Sequence, residues 1–306
     1  MAEVHKEGAF HEGERALQER AGERAQAVRN GAMIGTSITA PADAFLAAQR
    51  MLILGSRGSD GFPCVTILFG EPGFVSAPRQ DRVEIRVERS FLDPREFVRD
   101  GILADADVGL LAIDLERRRR FRINGRIERA DDSTIAVRVR EAYPNCPNYI
   151  HRRRLTSVEP RPAGGAVRQS GPSLDPAARA LVEASDLFFI ASMHPVRGAD
   201  VSHRGGPAGF VRVVNDRTLS IPDYAGNGMF NSLGNLLVDE RVGLAFLDFA
   251  NERLIRISGR ADIQFDDGVT EPAIGNTRRS VNVSIDGWSD APLDAAARWE
   301  DLEGSA

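Results

Sequence analysis

The chain contains an internal repeat, and this feature limits the possible folds more than any other. Residues 108–128 (VGLLAIDLERRRRFRINGRIE) and 242–262 (VGLAFLDFANERLIRISGRAD) are identical at nine of 21 positions, with an offset of 134 residues. Upstream, the GFV at 73–75 recurs at 209–211, with an offset of 136. A duplicated order of elements predicts two copies of one structural unit.

The repeated unit has the pattern of antiparallel strands. In each copy two alternating apolar segments flank a polar turn, LERRRRF or FANERL, which predicts a β-hairpin. From Met51 onward, short apolar runs are separated by Gly, Pro and Asp, as in a meander of strands. At 306 residues the chain has room for two domains. The predicted fold class is mainly β, with two tandem β-barrels and flanking helices.

Helices are predicted at two places outside the strand-rich segments. Residues 12–28 have apolar side chains at helical spacing and many charges, so we expect an amphipathic helix that Gly22 weakens. Asp175 followed by Pro176 is typical of a helix start. The chain then divides into four predicted segments: a helical arm (1–44), the first barrel (45–157), a linker rich in Pro, Gly and Ser (158–173) and the second barrel (174–306).

Composition and charge exclude several classes of protein. The net charge of −5 disfavours a nucleic-acid-binding protein and favours a small-molecule partner. Apolar runs are too short to cross a membrane, and the N-terminus lacks the apolar core of a signal peptide, so we expect a cytoplasmic protein without membrane contact. Cys64 and Cys146 are too few for a disulfide framework and have no metal-ligand spacing, so no metal site is predicted.

The two repeats diverge in one loop. Residues 220–238 (SIPDYAGNGMFNSLGNLLV) are dense in Gly, Asn and Ser, whereas the corresponding segment of the first repeat is RVERSFLDPREFVRDGILA. Asn227, Asn231 and Ser232 in such a loop can present short polar groups and backbone N–H groups at a helix N-terminus, an arrangement that binds phosphate. The alternative is a tight connection whose glycines only provide positive φ angles.

Two further segments carry candidate ligand contacts. Arg212 lies one strand before the loop and can supply a positive charge, where the first repeat has Ser76. Ser202 and His203, in VSHRGG, sit beside glycines that allow close approach to a ligand. His203 as a catalytic acid or base is the weaker hypothesis, because a lone histidine in a turn is usually only solvated.

The segment YPNCPNYIH at residues 143–151 follows the first repeat. Its prolines and asparagines are typical of a structural turn. Cys146 has no base at an obvious spacing, so the sequence does not support a nucleophilic thiol.

Together these motifs resemble the flavin-nucleotide-binding branch of the pyridoxamine 5'-phosphate oxidase family. The resemblance runs along nearly the whole chain and rests on FHEGERALQERAG, NCPNYI, DVSHRGGPAGFVRV, FNSLGNLL and the pair Arg298-Trp299. It implies an FMN-binding split barrel in which FMN lies between two barrels, here supplied by one chain as a pseudo-dimer, or by a homodimer.

The resemblance also implies which residues hold the cofactor. It implies that the phosphate and ribityl chain are bound by Arg212, Asn227, Asn231 and Ser232. The isoalloxazine ring would be bordered by Ser202, His203 and the backbone of Ser220, Ile221 and Pro222, and covered by Trp299. Relatives tend to carry a basic residue where this chain has Gly228, a change that weakens or abolishes FMN binding if nothing replaces the charge.

The leading functional hypothesis is an FMN-dependent oxidoreductase that takes electrons from NAD(P)H or from a separate ferredoxin-reductase-like protein. No residue stands out as a catalytic acid or base, so the catalytic residues and the substrate are unknown. Two alternatives remain open, because a fold does not determine a function. One is a noncatalytic flavin carrier or sensor. The other is a haem-binding split barrel, for which His151, His194 and His203 are candidate ligands.

Overall fold

A computed structural model describes residues 8–91, 100–161, 167–265 and 277–303. Its helices are α1 (Glu12–Arg20), α2 (Arg24–Gly31), α3 (Ala40–Ala47), α4 (Pro176–Ala184) and α5 (Asn231–Val238). The strands of the first half are β1 (Met51–Arg57), β2 (Pro63–Phe69), β3 (Val75–Arg79), β4 (Arg82–Arg86), β5 (Asp107–Asp114), β6 (Arg119–Ala130), β7 (Thr134–Asn145) and β8 (Arg153–Pro160). Those of the second half are β9 (Gln169–Gly171), β10 (Leu187–His194), β11 (Gly198–Gly205), β12 (Arg212–Asn215), β13 (Thr218–Pro222), β14 (Arg241–Asp248), β15 (Arg253–Phe265), β16 (Arg279–Pro292) and β17 (Ala295–Asp301).

The two repeats have the same strand order, which confirms the predicted mainly-β, duplicated fold. The first sheet runs β2-β1-β5-β6-β7-β4-β3, and the second runs β11-β10-β14-β15-β16-β13-β12. Adding nine to each strand number of the first sheet gives the second. All of these neighbours are antiparallel, and the predicted hairpins are β5–β6 and β14–β15. Across the described residues each sheet stays open between its edge strands, so each repeat is a split rather than a closed barrel.

The arm is two helices rather than one. Gly22 has a φ of +70°, which ends α1 and allows the chain to turn before α2 begins. The start of α1 is fixed by a capping box in which the His11 ring accepts the Gly13 N–H and the Glu14 carboxylate accepts the His11 N–H. The predicted start of α4 is confirmed, because Asp175 caps it by accepting the Ala178 N–H at 2.6 Å.

Each repeat has its own apolar core, and a third core lies between the repeats. On β1, Leu52 and Leu54 belong to the core of the first repeat, while Met51 and Ile53 belong to the shared core. Side chains alternate between the faces of a strand, so a continuous apolar run indicates a sheet buried on both sides. The shared core also includes Phe189 and other side chains of β10, β11 and β14.

Two glycines in equivalent positions allow the repeats to approach closely. A Cβ on Gly109 would lie 2.8 Å from the backbone nitrogen of Val201, and a Cβ on Gly243 would lie 2.0 Å from the carbonyl oxygen of Pro63. Both glycines come from the repeated VGL motif. Strand β5 of the first repeat therefore packs closely against β11 of the second, and β14 of the second packs in the same way against β2 of the first. The repeats therefore pack as a pseudo-symmetric pair within one chain.

The described residues on either side of the predicted linker include two strands, β8 and β9. The predicted boundary at 157/158 falls inside β8, which pairs with β17 near the C-terminus. Strand β9 pairs with β16 of the second repeat. Across the described part of the chain, no helix combines the length and apolarity that a membrane span requires.

Candidate functional site

A cleft lies where the two repeats meet, and both contribute walls to it. The first repeat supplies the start of β6 and the turn at 145–149, and the second supplies the end of β11 and the loop from 222 to the first turn of α5. The free volume at the centre is about 120 Å³, less than the roughly 300–1,000 Å³ typical of ligand pockets. Side chains therefore fill much of the space between the walls.

The floor of the cleft is a buried ion pair that crosses between the repeats. Arg122 on β6 lies 2.9 Å from Asp200 on β11, and both side chains are less than 10% exposed, at 7% and 3%. Burial opposes the charge on Arg122, but Asp200 and then Tyr143 raise the pKa of Arg122 above its ordinary value. Burial raises the pKa of the Tyr143 hydroxyl, so it stays neutral and accepts a hydrogen bond from Arg122 at 3.2 Å.

Two of the three predicted serines, Ser202 and Ser232, belong to this floor. The Ser232 hydroxyl donates to Asp200 at 2.6 Å and lies 2.7 Å from the Ser202 hydroxyl, which accepts from Arg122. Asn231 accepts from Arg122 at 3.4 Å and donates to the Glu14 carboxylate of the arm at 2.6 Å. The structure therefore brings Ser202, Asn231 and Ser232 together, but most of their hydrogen bonds are already made within the protein.

Arg120 and His203 form a second pair closer to the opening. Arg120 donates to Nδ1 of His203 at 3.1 Å and to the carbonyl oxygens of Cys146 and Asn148. Because an arginine only donates, Nδ1 accepts and the neutral ring carries its proton on Nε2. Burial, together with the charges of Arg120 and Arg204, holds the pKa of His203 well below its ordinary value, so the ring stays neutral.

Arg120 carries a positive charge that no carboxylate in the described residues balances. The other cleft arginines are paired: Arg204 lies 3.3 Å from Asp223, and Arg279 lies 3.0 Å from Asp223 and 2.9 Å from Glu23. Burial, with the neighbouring charge of Arg122, lowers the pKa of Arg120 to about 10, which still leaves it protonated at neutral pH.

Several buried nitrogen atoms of the cleft lack a hydrogen-bond partner among the described residues. They are Nε of Arg120, Nε of Arg122, Nε2 of His203 and Nδ2 of Asn145. Buried polar groups are nearly always satisfied, and unsatisfied ones at a cleft are typical of a binding site. Since all four are donors, the missing partner is an acceptor, such as a phosphate or carbonyl oxygen.

The loop before α5 brings unusual backbone geometry to the cleft. Phe230, which precedes α5, has a φ of 62°, and Tyr149 on the opposite wall has a φ of 61°. Large side chains adopt this region rarely, and such strain clusters at functional sites. No side chain caps α5, so its first N–H groups, from Asn231 onward, are available at the cleft.

The arm fixes this loop from outside. The side-chain amides of Gln18, Gln26 and Asn30 donate to backbone carbonyls of the 226–229 loop at 3.1, 2.8 and 2.7 Å. Gly228 itself has a φ of +70°, and a Cβ there would lie 3.2 Å from the Glu23 carboxylate. A basic residue at this position would therefore face Glu23, which Arg279 already neutralises.

The structure brings together six of the ten residues named from the sequence. Those lining the cleft are Ser202, His203, Pro222, Asn227, Asn231 and Ser232. Arg212, Ser220, Ile221 and Trp299 do not line it. Arg212 projects to solvent because Val211 and Val213 on either side of it face the core. Ser220 pairs with Arg212 across β12 and β13, Ile221 is buried in the core, and Trp299 lines a separate cavity.

Sequence reasoning missed the contribution of the first repeat. Arg120 lies at the end of the charged turn LERRRRF, and Arg122 follows directly after it. The internal repeat contained a signal for Arg122. Residues 122 and 256 are both arginine at the repeat offset of 134. Tyr149, in NCPNYI, was assigned to a structural turn but stacks on Tyr224 with ring centres 5.1 Å apart at the cleft opening.

A His11–Glu12–His194 cluster elsewhere resembles a metal site in composition. Its potential ligand atoms lie within 4.8 Å of one another. However, Nδ1 of each histidine accepts backbone N–H groups, those of Gly13 for His11 and of the following turn for His194. Each ring therefore carries its proton on Nε2, and the His194 Nε2 lies 3.2 Å from Glu12 as a hydrogen-bond donor. This tautomer disfavours ligation of a metal by Nε2.

Comparison with known proteins agrees with the fold of the second repeat. A family model described as pyridoxamine 5'-phosphate oxidase matches residues 174–283. Residues 174–283 therefore belong to the pyridoxamine 5'-phosphate oxidase family. The match covers α4 to the first part of β16, including the cleft residues of β11 and α5. No curated protein matches the sequence.

Solved structures similar to this chain each correspond to about two-fifths of its length. HupZ from Group A Streptococcus is 15% identical, covering 44% of this chain and 97% of its own, with a TM-score of 0.30. An FAD-binding protein from Mesorhizobium loti is 11% identical, covering 42% and 97%, with a TM-score of 0.29. A Clostridium acetobutylicum protein of the pyridoxinephosphate oxidase family is 12% identical, covering 42% and 93%, with a TM-score of 0.28.

Proposed function

We propose that the cleft between the repeats binds FMN and that the protein is an FMN-dependent oxidoreductase supplied with electrons by NAD(P)H or by a separate reductase. The family membership of residues 174–283 supports a flavin, since FMN is the cofactor that the family resemblance implies. The position of the cleft between two split barrels is the position that the resemblance implies for FMN.

The observation that carries the proposal is the unbalanced charge of Arg120. A partly buried charge without a counter-ion carries a desolvation cost, and a ligand anion at this point would offset that cost. The neutral His203 beside it offers Nε2–H as a further donor. A flavin nucleotide carries both a phosphate and a row of carbonyl oxygens, so it matches a cleft lined with unsatisfied donors.

On this proposal the residues divide between the two ends of the ligand. The uncapped N-terminus of α5, with Asn227, Asn231 and Ser232, binds the phosphate and ribityl chain. Ser202, His203 and Pro222 border the ring. Arg120, 3.1 Å from His203, supplies the positive charge that the sequence suggested for Arg212, which faces solvent.

The flavin, when bound, supplies the redox chemistry, and the protein binds it, orients it and shields it from water. A ligand of this size needs more than the free volume of the cleft, so side chains at its opening have to move. Tyr149 and Tyr224 are the candidates, because they are half-buried and stack on each other at the opening. Their separation on binding would expose two flat aromatic faces to the ligand.

Titration of the purified protein with FMN, followed by flavin absorbance and fluorescence, tests the binding proposal. We expect one FMN per chain. Arg120→Gln should weaken binding about tenfold or more, because a hydrogen bond to a charged group contributes about 1.5–3 kcal/mol. Arg212→Gln is the matched control and should leave the affinity unchanged. Equal losses in both variants, or no FMN binding by the parent protein, would refute the assignment of the cleft.

Stopped-flow mixing of the FMN-loaded protein with NADH and NADPH tests the enzyme proposal separately. Reduction of the flavin within seconds by one of them, or by an added flavodoxin- or ferredoxin-type reductase, supports an oxidoreductase. A bound flavin that none of these reduces indicates a noncatalytic carrier. A Soret band without flavin bands in the purified protein would favour haem, although the Nε2 proton of His203 and of His194 disfavours both rings as axial ligands.

A further inference from the structure

A second cavity, of about 500 Å³, lies on the opposite face of β6 from the cleft. Arg119 lines it while Arg120 lines the cleft, as alternation along a strand requires. Its walls come from helix α3, the β5–β6 turn, β8 and β17, and it is open to solvent on one side. Its volume is in the range of small-molecule binding sites.

The walls of the cavity are largely apolar and aromatic. They include Phe45, Met51, Leu155 and Trp299, the last of which packs edge-on against Phe249 with ring centres 5.2 Å apart. Such walls accommodate a flat ring system. The sequence placed Trp299 over the flavin, whereas the structure gives it to this cavity.

Two arginines of the cavity have no carboxylate partner among the described residues. Arg119 lies over the ring of Phe45, 4.8 Å from its centre, and Arg50 has only a 3.5 Å contact to the Val158 carbonyl. The acidic groups of the cavity are already used, because Asp114 pairs with Arg117 and Glu116 pairs with Arg154. The cavity therefore has an excess of positive charge.

Two buried donors also point to a missing acceptor. Nε1 of Trp299 and Nε of Arg50 are buried and have no hydrogen-bond partner in the part of the chain that the structure describes. An indole N–H can only donate. A ligand with a flat apolar body and one anionic group would meet the walls, the two charges and both donors at once.

We propose that this cavity is a binding site for a small aromatic carboxylic acid, held by Arg50 and Arg119 and stacked among Phe45, Leu155 and Trp299. The Trp299 N–H donates to the carboxylate or to a ring substituent. This site is separate from the cleft and does not depend on flavin binding.

Isothermal titration calorimetry with naphthalene carboxylate and with the corresponding neutral carboxamide tests the proposal. Both probes have the same ring body, so their difference measures the charge contribution. We expect one carboxylate per chain, bound about tenfold or more tightly than the carboxamide. Excess FMN should not displace the carboxylate, so failure here and failure of the flavin proposal are distinguishable.

Substitutions locate the site. Arg50→Gln and Arg119→Gln should each weaken carboxylate binding about tenfold and leave carboxamide binding unchanged. Arg126→Gln, at an exposed arginine farther along β6 that does not line the cavity, is the control and should change neither. Trp299→Phe keeps an aromatic ring but removes the donor, and should weaken the carboxylate several-fold. No carboxylate binding, equal binding of both probes, or equal effects of Arg119→Gln and Arg126→Gln would overturn the proposal.

Discussion

The buried ion pair between Arg122 and Asp200 provides a sharp test of how the repeats are held together. Asp200→Asn keeps the shape of the side chain but leaves the guanidinium of Arg122 buried without its counter-ion. Removing one partner of a buried pair typically costs about 3–5 kcal/mol, because the remaining charge is uncompensated. Tyr143, Ser202 and Asn231 still accept hydrogen bonds from Arg122, so we expect a loss of about 4 kcal/mol.

Differential scanning calorimetry measures this loss as a fall in melting temperature. Unfolding entropy is about 2.1 cal/mol/K per residue, so the 306 residues give about 0.6 kcal/mol/K. A loss of about 4 kcal/mol then corresponds to a fall of about 6 °C.

The matched control is an exposed pair on the same strand. Arg126 lies 3.5 Å from Asp105, with side chains 48% and 84% exposed. Arg126→Gln should therefore cost less than about 1 kcal/mol and shift the melting temperature by less than about 2 °C. A double variant, Arg122→Met with Asp200→Leu, removes both charges and should regain most of the stability lost by Asp200→Asn.

Two outcomes would refute this reasoning. If Asp200→Asn lowers the melting temperature no more than Arg126→Gln, the pair does not behave as a buried one. If the double variant is less stable than Asp200→Asn, the uncompensated charge was not the cause of the loss.

Other variants test the packing, the arm and the loop by thermal unfolding. Gly243→Ala places a Cβ 2.0 Å from the Pro63 carbonyl oxygen and should cost about 3 kcal/mol. Gly226→Ala meets only an ordinary contact, 4.0 Å from the Tyr224 carbonyl oxygen, and should cost less than about 1 kcal/mol. Burial raises the pKa of Glu14 from 4.5 to about 8. Between these two pH values Glu14 is protonated in the folded chain and ionised in the unfolded chain, so the free energy of unfolding falls as the pH rises. Glu14→Gln should abolish that fall. Gly228→Arg should cost about 1–3 kcal/mol because of its positive φ, and should not strengthen FMN binding; a tighter complex would show that the missing charge matters.

The sequence predicted the features that repetition and alternation determine. The matching VGL segments gave the two hairpins, and the order of the apolar runs gave two equivalent sheets. The divergent loop at 220–238 pointed to ligand contacts in the second repeat, because a segment that differs between two copies of one scaffold is not needed to build the scaffold. Two residues of this segment, Asn231 and Ser232, line the cleft.

The side chains that the first repeat contributes to the cleft could not be predicted, because four consecutive arginines do not indicate which side chain faces which side of the strand. In the structure Arg117 is exposed, Arg118 turns with a φ of 53°, Arg119 faces the second cavity and Arg120 faces the cleft. Only the start of β6 and its register decide which face each side chain takes. The position of Arg212, by contrast, was available from the sequence, since a single polar residue between two valines in a strand faces solvent.

The tandem arrangement of the chain explains why the charge of Arg120 and the ring of His203 have no polar equivalent in the other repeat. A homodimer of identical barrels would carry two identical clefts, whereas a tandem chain can specify each wall once. At the repeat offsets, Arg120 corresponds to Leu254 and His203 corresponds to Ile67, and both of these apolar residues are buried in the core between the repeats. Arg122, in the floor of the cleft, corresponds to Arg256 in the second repeat. Arg256 also contacts the other repeat, because it donates to the Val65 carbonyl oxygen at 3.0 Å. An arginine from each repeat therefore contacts the other repeat, but the unbalanced charge of Arg120 and the neutral ring of His203 occur in one cleft. For this reason we expect a single flavin per chain.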